Sequence, residues 1–97
     1  MMLGLLSLSE QIVLTRHARM RRAERFPELD EADVVGEIRA ALRDGRCGAQ
    51  RPDWLHPSLN RSALYAWTEE HERTYALVGE PDRWVVKTIL LPKEIYA

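Results

Sequence analysis

Cysteine is almost absent from this sequence: Cys47 stands alone among 97 residues. A single thiol forms no internal disulfide and cannot build a cysteine-rich zinc site. It fits a reducing compartment, so the expected location is cytoplasmic. An excess of one charge is also missing, since 14 lysines and arginines face 15 aspartates and glutamates for a net charge of −1. Overall electrostatics therefore supplies no attraction to nucleic acid, and only a local patch can. No apolar run approaches the roughly 20 residues of a membrane helix, and no membrane partner is expected. The opening "MMLGLLSL" is apolar but short, without the basic start or small-residue cleavage site of a secretory signal. It is expected to dock on the core as a strand or tail. His17, His56 and His71 lie far apart and lack a spaced acidic partner, so neither a metal site nor a cofactor is expected. Repeats, low-complexity segments and linkers are absent too, and residues 1–97 read as a single domain.

What is present is an ordinary globular composition, 45% hydrophobic and 30% charged, enough for one modest core. "EQIVLT" (10–15) has the β-branched character of a short strand. Thr15 can then cap a helix over about 16–26, which Pro27 ends. In "LDEADVVGEIRAALRDG" (29–45), Asp30 is the expected N-cap and Asp33 follows three positions on. Val34, Val35, Ile38, Ala41 and Leu42 form one helix face, and Gly45 supplies the stop. Residues 46–62 read as a long loop. Strands are expected over 63–68, 74–79 and 83–91, joined by the turns "EEHER" and "EPD". In the last strand, strict alternation puts Trp84, Val86, Thr88 and Leu90 on one face, and Val85, Lys87, Ile89 and Leu91 on the other. The predicted class is α+β, with two N-terminal helices packed on one face of a C-terminal antiparallel sheet.

The cations are concentrated in "LTRHARMRRAER" (14–25), which holds five arginines and a histidine. At 3.6 residues per turn, His17, Arg21, Glu24 and Arg25 share one stripe of the first helix, with Arg19, Arg22 and Phe26 nearly opposite. Met20 and Ala23 lie between and are the expected core contacts. Such a stripe is often only a solvated face, with Glu24 pairing a neighbouring arginine. It is equally the pattern of an anion site, in which two guanidiniums a turn apart grip a phosphate beside an imidazole that carries a proton.

Over roughly residues 10–90, the chain resembles a widespread bacterial family grouped with RelE-like and BrnT-like toxins. The likeness rests on a short strand, the His17–Ala18 pair, Arg21, the Glu24–Arg25 pair, the acid-capped helix and the closing "VVKTIL". In place of a glycine-containing turn after Glu24–Arg25, this chain has "FPELDE". The resemblance implies the fold shared by barnase, EndoU, colicin ribonucleases and RelE. It also implies metal-independent RNA cleavage, in which the ribose 2′-hydroxyl attacks its own phosphate. His17 would be the base or the acid, Arg21 and Arg25 would hold the phosphate, and Lys87 or His71 would supply the second proton carrier or cation. Arg22, Glu24 and Trp67 are further candidates for substrate contact, Trp67 by stacking on a base. Each has a structural alternative: a helix-start histidine bonding a carbonyl, arginines bracing the sheet, and tryptophans in the core.

Three functions follow. The first is a ribonuclease that takes RNA and has a protein partner such as an antitoxin or host factor. The second is a non-catalytic binding or inhibitor protein of the same fold, of the kind a phage or mobile element encodes, with those residues locked in internal salt bridges. The third is an assembly protein that forms homo-oligomers through an edge strand.

Overall fold

The computed structural model describes residues 11–50, 52, 54 and 64–91. Their order is β1 (Gln11–Leu14), α1 (Arg16–Arg25), α2 (Glu31–Asp44), β2 (Cys47–Gly48), β3 (Leu64–Trp67), β4 (Thr74–Glu80) and β5 (Arg83–Leu90). The class is α+β. The opening eight residues and His56 lie outside the described residues, as does most of the expected 46–62 loop.

Both helices begin where short polar side chains can satisfy their first N–H groups. Thr15 accepts from the Ala18 N–H at 3.1 Å. Asp30 and Asp33 form a reciprocal capping box, at 2.8 Å and 3.0 Å. Gly45 closes α2 at φ 79°, a left-handed conformation that glycine adopts without a Cβ clash. The stripe expected on α2 is the buried one: Val34, Ile38 and Ala41 have no exposed surface. They join Tyr75, Leu77, Val86 and Ile89 of the sheet in the main core.

The sheet departs from the expected antiparallel arrangement. Its order is β1-β5-β4-β3-β2, and β1 pairs parallel to β5, Gln11–Leu14 against Arg83–Val86. The sheet is therefore mixed. The expected meander β3-β4-β5 is antiparallel, and Cys47–Gly48 adds a short antiparallel edge within the expected loop.

A second departure lies inside β5. Ala76 pairs with Thr88, but Leu77 pairs with Val86, leaving Lys87 as the extra residue of a bulge. Alternation cannot run through such a point, because one inserted residue exchanges the faces beyond it. Val86 and Ile89 consequently both enter the core beneath the helices. Leu90 packs on the opposite face with Tyr65, Ala76, Trp54 and Trp67.

The core contacts of α1 also differ from expectation. Met20 is 47% exposed and Ala23 is exposed, whereas Ala18 and Phe26 are buried and Arg22 and Arg25 half-buried. Arginine stems supply apolar contact while their heads reach polar partners, so a helix face can be packed without looking apolar.

An ion-pair network ties α2 to β4. Arg73 grips Glu37 with two nitrogens, at 2.9 Å and 2.6 Å, and lies over the Phe26 ring at 5.1 Å. The Tyr75 hydroxyl donates to the same carboxylate. Burial, reinforced by that hydrogen bond, holds the Tyr75 hydroxyl far above the usual phenol range.

Candidate functional site

The cationic stripe of α1 is held against the part of β5 that β1 does not reach. Three groups from the start and end of α1 take carbonyls along this strand edge. The Thr15 N–H donates to Val86 at 3.1 Å, the Thr15 hydroxyl to Lys87 at 3.2 Å, and Arg25 Nη1 to Ile89 at 2.7 Å. Thr15 thus caps the helix and fastens it to the bulge with one oxygen. Between helix and strand runs an open groove of about 520 Å³, lined by Thr15, His17, Arg21, Arg25, Lys87, Thr88 and Leu90.

Four side chains named from the sequence meet there: His17, Arg21 and Arg25 from α1, and Lys87 from the bulge. His17 is exposed, and the other three are half-buried. Among the described residues none hydrogen-bonds the His17 ring. Arg25 uses one of its five N–H donors on Ile89. Arg21 pairs with Glu24 at 2.6 Å, on a surface where the carboxylate is 53% exposed. Among the described residues no acidic one lines the groove itself. The wall is cationic and the floor, Thr88 and Leu90, largely apolar. In such a setting an anion meets less screening than it would on an open surface.

The remaining candidates lie elsewhere. Arg22 turns from the groove and donates to the Leu29 carbonyl, bracing the turn between the helices. Glu24 borders the site only as the partner of Arg21. Trp67 sits across the sheet, edge-on to Trp54 at 5.0 Å. His71 stacks on Trp54 at 3.7 Å; it shares none of the groove's walls. Sequence reasoning missed the second role of Thr15 and the floor residues Thr88 and Leu90. A polar side chain ahead of the helix was a visible signal for the first. The floor depends on the bulge.

A second depression of about 360 Å³ lies by the β3–β4 turn, lined in part by Glu37, Arg46, Thr68, Glu69, Glu70, Glu72 and Arg73. Its arginines are engaged, Arg73 by Glu37 and Arg46 by the Trp67 carbonyl at 2.6 Å and Asp44 at 3.1 Å. The Thr68 hydroxyl holds the Glu72 carboxyl below its ordinary range, so the rim is acidic. Cys47 is half-buried, and burial pushes its thiol up, which disfavours the nucleophilic thiolate. Among the described residues no group of three or more His, Cys, Asp or Glu side chains is placed to hold a metal ion, and no helix is long and apolar enough to cross a membrane. Comparison of the chain with family models, with curated proteins and with solved structures gave no match.

Proposed function

We propose that the groove binds a phosphodiester of RNA and that the protein is a metal-independent endoribonuclease of the RelE/BrnT type. The observation that carries this reading is the meeting of His17, Arg21, Arg25 and Lys87 around one open groove. The resemblance of "LTRHARMRRAER" and its flanking elements to those toxins adds to it. In the reaction the 2′-oxygen bonds to phosphorus as its proton passes to a base. The bond from phosphorus to the 5′-oxygen then breaks as an acid protonates that oxygen. The products are a 2′,3′-cyclic phosphate and a 5′-hydroxyl. His17 moves one of these protons in this reading. Arg21 and Arg25, a turn apart, hold the non-bridging oxygens in this reading as charge develops. Lys87 approaches from the strand side as a further cation. The expected setting is cytoplasmic, with RNA as substrate and an antitoxin or host factor as partner.

One observation favours the alternative, a non-catalytic binding or inhibitor protein: Arg21 is already paired with Glu24. The pair is exposed, and such pairs contribute only about 0–1 kcal/mol, so a phosphate can displace the carboxylate. Incubation with RNA in EDTA, wild type beside His17→Ala, separates the readings. Cleavage that disappears in the variant supports the ribonuclease. Cleavage that persists unchanged removes His17 from the mechanism. RNA binding without cleavage by wild type supports the binding protein.

A further inference from the structure

Thr88 forms part of the groove's floor although it is only 8% exposed. Among the described residues no hydrogen bond engages its hydroxyl. The other buried threonines are satisfied: Thr68 donates to Glu72 at 2.8 Å, and Thr74 accepts from the Trp54 indole at 3.2 Å. Nor is the Thr88 oxygen sealed away. Among the described residues the fully enclosed side-chain polar atom that lacks a partner is the Trp84 indole nitrogen. The Thr88 hydroxyl therefore reaches the surface, and the surface that Thr88 helps to form is the groove. A hydroxyl this enclosed and unpaired costs stability that valine, of the same shape and equally suited to a strand, would not.

Two features of the fold put the hydroxyl there. The bulge at Lys87 is the first: without it Thr88 would keep the parity of Val86 and point into the core. The second is the clamp on either side. The Lys87 carbonyl is held by the Thr15 hydroxyl and the Ile89 carbonyl by Arg25, so both neighbours of Thr88 are tied to α1. The latter bond also keeps the Arg25 guanidinium next to Thr88 along the strand. A short side chain on so fixed a backbone holds a contact in place. The arginines and the lysine of the lining only donate, so the group they attract is an acceptor. The Thr15 hydroxyl has spent its proton on Lys87. Thr88 keeps its proton for that same acceptor.

We propose that Thr88 is a substrate-contact residue: its hydroxyl donates to a non-bridging oxygen of the anion gripped by Arg21 and Arg25, and so seats the phosphate against the strand instead of at the exposed rim of α1. The inference rests on the phosphodiester reading of the groove and adds the neutral donor that orients its occupant.

Thr88→Val keeps the shape and removes the hydroxyl. Because no internal bond is lost, its urea midpoint should equal or exceed that of wild type. Its affinity for dimethyl phosphate, followed by nuclear magnetic resonance of the His17 ring, should fall about two- to tenfold, the factor that one ordinary hydrogen bond contributes. Thr88→Ser should restore it. The two phosphorothioate isomers of 2′-O-methyl ApA, whose blocked hydroxyl cannot attack, locate the contact. Sulfur accepts a hydrogen bond poorly, so wild type should prefer one isomer, and the preference should shrink in Thr88→Val. Unchanged affinity with an unchanged isomer preference in the valine variant overturns the contact and leaves the phosphodiester groove standing. So does a valine variant less stable than wild type, since the hydroxyl would then serve the fold. If wild type binds none of these compounds, both readings fall.

Discussion

Thr15 is the residue on which fold and groove both depend, and its replacement has a calculable cost. Its oxygen accepts the Ala18 N–H and donates to the Lys87 carbonyl. In Thr15→Val the shape is kept and both bonds are lost. Loss of an N-cap acceptor costs about 1 kcal/mol, and loss of a part-buried hydrogen bond about 1 kcal/mol more. The sum, about 2 kcal/mol, corresponds to a fall in Tm of roughly 8–16 °C for a domain of this size. Thr15→Asp keeps the capping acceptor but cannot donate to Lys87, and should lose about half as much. Thr15→Ser keeps both bonds and should stay within about 0.5 kcal/mol of wild type. Urea unfolding with the linear extrapolation measures all three. The order Ser, Asp, Val is the expected result. Serine and valine variants of equal stability would show that the hydroxyl anchors nothing, and that something else holds α1 against β5.

Other perturbations test other parts of the structure. Ile38, fully buried on α2, should lose about 2–5 kcal/mol on replacement by alanine, measured by the same unfolding; a loss under 1 kcal/mol would contradict the packing. The Tyr75 hydroxyl is raised in the folded state by burial and by Glu37. Its contribution is therefore complete below the ordinary phenol value of about 10 and declines as pH rises above it. Wild type should lose up to about 1.4 kcal/mol per pH unit more than Tyr75→Phe there, and parallel profiles would refute the assignment. Burial that raises the Cys47 thiol predicts alkylation by iodoacetamide at pH 8 several-fold slower than that of the urea-unfolded chain; equal rates would contradict it.

Legibility in the sequence followed how local each feature is. The second helix could be read because its caps, Asp30 and Gly45, and its stripe, Val34, Ile38 and Ala41, all lie within one element. The alignment of His17, Arg21 and Arg25 could be read for the same reason, since helix geometry alone sets it. Which side of α1 faces inward could not, because Arg22 and Arg25 pack by their stems while Met20 stays outside. The partner of β1 depends on how the whole chain returns, and "QIVL" carries no mark of parallel pairing. The bulge was hidden because "WVVKTILL" is apolar at both parities, so either phase of alternation looks acceptable. Lys87, Thr88 and Leu90 acquire their places only through that irregularity, and the floor of the groove went unseen with it.

The claim on which the account turns is that the imidazole and the two guanidiniums of α1 form one anion site. A titration of isotopically labelled protein with 2′-O-methyl ApA, recording the His17 ring and the arginine Nε–H signals, tests it most directly. His17, Arg21 and Arg25 are expected to shift together on a single saturating curve, while the exposed Arg19, Arg43 and Arg83, paired at the surface, stay in place. Signals that remain still, or that all drift in proportion to exposure, would contradict it.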